Sequence, residues 1–364
     1  MKTYCKHTGT TDPAFVRDAI EAWLKGKRNR RSVKRFIAHH PDVDKLAREI
    51  AREIAEDRLM GLEIHYFDRI EPLNGKHRVI GVESPRHQIY DYVAALALKP
   101  LFDAKIGRWQ TAGVKGRGIE DARRAIRRRV CRRDCRWFVK LDVRKCYPSI
   151  RHDLLLSRLE HDVGDRTLIR LVARLVEACG DGVGLNIGSY LSQWLANYYL
   201  SYAYHYATER LHRTRRSKHG DKRVRLVNFC LFYMDDILLT GTSRKDVEKA
   251  ARMLDAYFAD ELGLHLHAGW HAARIGAEPI DMVGYRFTPH HTDIRKNVYR
   301  RARHAFIEAQ RNPMTEKLAR KCASYYGYYT HADLERHRRT HHINKTMREA
   351  RRRLRETNRP RRPN

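Results

Sequence analysis

The sequence predicts an α+β chain in which helices dominate and short strands pair antiparallel, on three observations. Several stretches carry apolar residues at helical spacing, among them AFVRDAIEAWL, DKLAREIAREIAEDRL and DVEKAARMLDAYFADEL. Two kinds of strand-length apolar run end on acidic residues: WFVKLDV (137–143) and the two halves of RLVNFCLFYMDDILLTGT. A segment rich in β-branched and aromatic residues, GLEIHYFDRIEPLNGKHRVIGVESP, is divided by Asn74 and Gly75, the dipeptide of a hairpin turn.

In chain order, residues 1–60 read as a basic helical extension whose amphipathic period is interrupted by the charged run KGKRNRRSVKR. The hairpin follows, then a helix through QIYDYVAALALKPLF and a basic one through GIEDARRAIRRRVCRRDCR. After the strand at 137–143, Pro148 is expected to open a helix over DLLLSRLEHDV. A long helical pattern runs from Gly188 to about Leu211 and leads through a basic loop, HRTRRSKHGDKR, into the strand pair at the acidic residues. MVGYRF reads as a short strand, and the remainder as helical, basic and aromatic, with 351–364 a basic, disordered tail.

The chain has 364 residues, with 74 Lys and Arg against 43 Asp and Glu and a formal charge of +31, so a polyanion such as nucleic acid is the expected partner. No apolar run reaches the roughly 18 residues of a membrane span, and no signal-peptide core is visible, so a soluble, cytoplasmic protein is expected. Seven cysteines at irregular spacing argue against a disulfide framework. Cys131 and Cys135 have the look of half a zinc site, but no second pair follows at ligand spacing.

Against this charge, FYMDDILLT places Asp235 and Asp236 side by side between apolar runs. Adjacent carboxylates in such a place repel and resist desolvation, so a lysine or arginine, a proton or a metal ion should lie near them. Asp142 ends the earlier apolar strand, and if the strands are neighbours in one antiparallel sheet, three carboxylates converge. Hard oxygen ligands of that kind suit two Mg2+ ions in an in-line phosphoryl displacement. A strand end or helix cap for Asp142 and an ordinary turn for Asp235 and Asp236 is the plainer reading of each residue alone.

These residues resemble the reverse transcriptases. Asp142 with Tyr147 five residues on is similar to their first palm motif, and YMDD (233–236) to their hallmark hairpin. IGSYLSQWLAN (187–197) resembles the palm helix motif, MVGYRF (282–287) the primer-grip hairpin, and KHRVIGVESPRHQIYDYV the fingers segment. The resemblance implies a right-hand polymerase fold: fingers at 61–136, an antiparallel-sheet palm at 137–287 with fingers insertions, and a helical thumb at 288–350. It further implies that Asp142 and Asp235 hold the metals with the Val143 carbonyl, and that Asp236 is supportive. Tyr147 would exclude a 2′-hydroxyl. Lys76, Arg78 and Arg86 would grip the triphosphate, Gly188 and Gln193 would lie at the nucleotide, and Gly284 and Tyr285 would seat the primer. Partners implied are a template RNA, the primer or cDNA, and deoxynucleoside triphosphates.

The palm helix departs from the Gln-Gly and Ser-Pro pattern of group II intron and retron types: Ile187 precedes Gly188, and Gln193 follows Ser192. This IGxxxSQ form is similar to the reverse transcriptases of diversity-generating retroelements, which make adenine-mutagenised cDNA and work with a small basic accessory protein. Ile187 and Gln193 would then sit against the templating pair and loosen discrimination there. The lysine that family members often carry after the YMDD helix is absent from GLHLHAGWHAARI, where His265, His267 or His271 are the substitutes on offer. The stretch after Phe287 is expected to hold a thumb and tail, without room for an RNase H, endonuclease or integrase domain. The alternatives are another stand-alone bacterial reverse transcriptase, of phage-defence or retron-like kind, and, more remotely, a non-catalytic RNA-binding scaffold on a polymerase fold.

Overall fold

The computed structural model describes residues 3–70, 77–217 and 220–358. Three helices open it: α1 (Pro13–Leu24), α2 (Arg31–His39) and α3 (Val43–Ala55). Asp12 caps α1 through the Ala14 N–H and Asp42 caps α3 through the Lys45 N–H, as short acidic side chains do at helix starts. The charged run only partly interrupts the period. Its second half folds into α2 because Val33 is buried and Phe36 packs edge-on against Trp23 of α1.

β1 (Ile64–Ile70) and β2 (His77–Glu83) pair antiparallel, Ile64 opposite Glu83 and Ile70 opposite His77. The expected turn at Asn74 and Gly75, with Lys76, lies outside the described residues. Ser84 caps α4 (Pro85–Ala97), and a break at Leu98, ahead of Pro100, separates it from α5 (Lys99–Lys105). Then come α6 (Ile119–Arg129), β3 (Trp137–Asp142), α7 (Cys146–Ser149), α8 (His152–Asp162) and α9 (Arg166–Glu177). Pro148 does not open α8; it sits inside the short helix α7, and α8 starts afresh at His152. α10 (Tyr190–His205) runs on into a π-helical turn, Tyr206–Arg210.

The basic stretch expected as a loop is a hairpin, β4 (His212–Ser217) with β5 (Gly220–Arg225). β6 (Phe229–Tyr233), β7 (Asp236–Gly241), α11 (Arg244–Leu262) and β8 (Ala272–Arg274) follow. MVGYRF is two strands rather than one, β9 (Ile280–Met282) and β10 (Tyr285–Phe287), joined by a turn and extended by β11 (Thr292–Ile294). Four helices close the chain: α12 (Lys296–Arg311), α13 (Glu316–His331), α14 (Glu335–Thr340) and α15 (Ile343–Asn358). The tail expected to be disordered from 351 is therefore helical to Asn358. Ile343, Met347 and Ala350 form a buried stripe at helical spacing, and Leu354 continues it.

The central sheet has the order β6-β7-β3-β8, with all neighbours antiparallel. Period-two alternation divides its side chains between two cores. Val139, Leu141, Cys230, Phe232, Ile237 and Leu239 join the large core with α4, α8, α9, α10 and α11. Phe138, Leu231 and Leu238 face the second core, built with α6, β9, β10, β11, α12, α13 and α15. A slip of one residue would exchange the two faces, so the register is fixed, and with it the position of each acidic residue.

Candidate active site

That register sets Asp142 of β3 opposite Asp236 of β7. The β6–β7 turn is made by Met234 and Asp235, with Met234 in the left-handed region at φ 54°. The Val143 N–H donates to the Asp235 carbonyl at 3.0 Å, so the acidic ends of two strands are held abreast. Burial, with the charges of Asp236 and Asp142 acting the same way, pushes the Asp235 carboxyl up to about 6. The carboxylates of Asp142 and Asp236 are near enough to repel that of Asp235, and carboxylate oxygens are donors of the kind a hard divalent cation takes.

The three are not equivalent. Lys140, two residues before Asp142 on the same face of β3, places its Nζ 2.9 Å from Asp236. Asp236 thus already has a cation from within the chain, at 2.9 Å. Sequence reading missed Lys140, although strand alternation puts it on the cleft side. The His267 Nε2 lies 3.4 Å from an Asp142 carboxylate oxygen, and the His267 N–H donates to the Asp142 carbonyl at 2.8 Å. Of the three histidines singled out, His267 alone reaches the cluster. His271 pairs with Glu278 at 3.1 Å, and the His265 carbonyl accepts from the Arg144 N–H.

Tyr147 lies beside the turn, its hydroxyl directed at the Met234 Sδ 3.9 Å away. Burial and nearby negative charge hold its phenol well above the usual range, and Arg78 on β2 acts in the opposite sense on both Tyr147 and Asp235. The structure thus brings Asp142, Asp235, Asp236, Tyr147 and Arg78 together. Lys76 lies outside the described residues. Arg86 is a correction: its guanidinium is committed to Glu53 at 2.5 Å and Glu49 at 3.8 Å on α3 and is not offered to a triphosphate. Tyr90 donates to the same Glu53.

The turn that carries Ile187 and Gly188 is latched to β2 and α4. The Gly81 N–H donates to the Ile187 carbonyl at 3.2 Å, and the Asn186 Nδ2 donates to the Gly81 carbonyl at 3.3 Å and to Glu83 at 2.8 Å. Ser189 donates to Asp91 at 2.5 Å while capping α10 through the Ser192 N–H. Gly188 has φ 128°, and a Cβ there would fall 2.8 Å from the Gly81 carbonyl oxygen. The approach of β2 thus requires a residue without a side chain there. The Gln193 side chain packs over Gly113.

Gly284 turns between β9 and β10 at φ 87°, with Tyr328 of α13 over it. Tyr285 corrects a second expectation. It is buried in the second core, its ring 5.3 Å from that of Tyr328, so its side chain anchors the turn from below and is not free to touch a primer. Cys131 and Cys135 are no zinc pair, since Cys135 is buried against Thr240 and Cys131 lies at the surface.

A helix-backed antiparallel sheet with acidic residues at the ends of adjacent strands is the arrangement of the right-hand polymerases. Within them the chain belongs to the reverse transcriptase (RNA-dependent DNA polymerase) family, whose sequence profile matches residues 68–287. It is 29% identical over 104 residues to a putative COX1/OXI3 intron 1 protein of Saccharomyces cerevisiae, covering 29% of this chain and 12% of that one. An uncharacterised 91 kDa protein in a cob intron of Schizosaccharomyces pombe is 27% identical over 109 residues, 30% of this chain and 13% of its own length. The match thus spans about an eighth of each intron protein. Among solved structures, apo telomerase from Candida tropicalis, truncated from the C-terminal domain, aligns at a TM-score of 0.44 and 13% identity, covering 65% of this chain and 55% of that one. No helix among the described residues is long and apolar enough to cross a membrane.

Proposed function

We propose that this chain copies a cognate RNA into cDNA by nucleotidyl transfer at the Asp142–Asp235–Asp236 end of its central sheet, as the error-prone reverse transcriptase of a diversity-generating retroelement. The observation that carries the polymerase reading is the convergence of three carboxylates, with Tyr147 and Arg78 beside them. Asp142 and Asp235 would hold two Mg2+ ions, helped by the Val143 carbonyl. Those ions, when bound, supply an activated primer hydroxyl and stabilise the pyrophosphate that leaves. Asp236, tied to Lys140, orients the pair. Arg78 would meet the triphosphate, and Tyr147 would leave no room for a ribose 2′-hydroxyl.

The mutagenic reading rests on the turn before α10. Its backbone is pinned by β2, so the residue at 187 is presented in one place, and that residue is the apolar Ile187 where many family members carry a hydrogen-bonding Gln. An isoleucine there removes a polar check on the base pair. Fingers at 61–136, palm at 137–287 and thumb at 288–350 complete the reading, with a small basic accessory protein as partner. The test is to sequence the RNA that co-purifies with the chain and the cDNA it makes, with Asp235→Ala as control. Errors confined to template adenines support the mutagenic type. Faithful cDNA overturns that type while leaving the polymerase; cDNA undiminished in Asp235→Ala overturns the assigned site.

A further inference from the structure

We propose that Glu83, His87 and Asp91 form a second metal site, separate from the acidic end of the sheet, which holds a Zn2+ ion in a structural role between β2, α4 and the turn before α10. The residues come from adjacent elements. Glu83 ends β2, and His87 and Asp91 stand one helical turn apart on the face of α4 turned inward. A ring nitrogen of His87 and one carboxylate oxygen from each of Glu83 and Asp91 lie within 4.8 Å of one another. All three are buried, with exposures of 5%, 1% and 2%.

An independent observation points to a missing partner. The Nδ1 of His87 is buried with no hydrogen-bond partner. A buried imidazole nitrogen without a partner beside two buried carboxylates is costly. Lys27 is the nearby amine, but its Nζ is turned to the Gln88 side chain at 3.2 Å and the Tyr92 ring at 4.6 Å.

The chemistry of the donors selects the ion. One imidazole and two carboxylates neutralise a divalent charge and suit Zn2+, whereas Mg2+ keeps its waters and favours oxygen alone. The ligands are steadied from outside, Glu83 by Asn186 and Asp91 by Ser189 and the Leu191 N–H. An ion here would tie the turn bearing Ile187 to the β1–β2 hairpin.

The test is the zinc content of the full chain purified without chelator, with Asp235→Asn and His87→Gln in parallel. One zinc per chain is expected in the parent and in Asp235→Asn, and none in His87→Gln. X-ray absorption at the zinc edge should give a nitrogen and oxygen shell with one imidazole and no sulfur. Because a buried variant can fail to fold, the parent is also stripped with a zinc chelator and reloaded, and its Tm should rise until one zinc per chain is bound. Zinc no higher than a buffer blank together with no Tm rise on reloading would mean that a proton shared by Glu83 and Asp91 suffices, and overturns the proposal. Sulfur in the shell overturns it as well.

Discussion

Asp235 and Asp236 are neighbours in sequence with different electrostatic lives. Asp235→Asn is expected to cut primer extension by roughly 10²–10³-fold or more, the cost of losing one stabiliser of transition-state charge. Asp236→Asn, which removes a residue already paired with Lys140, should cost clearly less; equal losses in steady-state kinetics would contradict the assignment. The raised Asp235 carboxyl, at about 6 without metal, also predicts a pH effect with a definite sign. The folded chain binds a proton there at a pH where the unfolded chain has released it, so this group favours the folded state increasingly as pH falls through about 6. In EDTA, Asp235→Asn should therefore melt above the parent near neutrality, and the gap should close on acidification. With magnesium present, activity should fall through the same range and recover when more magnesium is added.

The helices and strands differ in how far they could be read. WFVKLDV and the runs flanking YMDD were legible because a strand buried on both faces must be apolar throughout, and a carboxylate at its end marks where burial stops. Lys140 is equally legible by alternation, two residues before Asp142 on the same strand. Arg86 was not, because its partner Glu53 lies on a helix thirty-three residues upstream and no local pattern brings the two together. Tyr285 was hidden likewise, its burial depending on Tyr328 of α13. The β4–β5 hairpin carries no apolar alternation, so charge alone suggested a loop. Helix α9 carries its signal locally, with Leu168, Leu171, Val172, Leu175 and Val176 at helical spacing. The latch before α10 offers a direct check: Ser189→Ala removes a helix cap and the bond to Asp91 and should lower stability by about 1–2 kcal/mol in a denaturant titration.

Taken whole, the molecule carries a large positive excess, a formal charge of +31. Binding of RNA should weaken steeply with salt, log K falling by about 0.7–0.9 per log unit of salt for each phosphate neutralised. The β4–β5 hairpin extends that basic surface, with Arg215, Arg216, Lys222 and Arg223 exposed and Arg213 held by Asp246 at 2.9 Å. Changing those four exposed residues to Gln should weaken binding of long RNA and flatten the salt dependence, read by fluorescence anisotropy across a salt series. Unchanged slopes would mean that RNA passes elsewhere.

The Lys140–Asp236 pair also sets the order in which charge enters the cleft. On the proposed assignment of Asp142 and Asp235 as ligands, with one carboxylate balanced by Lys140 and Arg78 nearby, a single divalent ion more than matches the remaining charge, and a second is in surplus until a polyanion arrives. The cleft is electrically unfinished while it waits, so it should admit the second ion as luggage of the nucleotide. Lys140→Ala restores the third negative charge. It should let the protein hold two Mn2+ ions with no nucleotide present, counted by electron paramagnetic resonance, where the parent holds one.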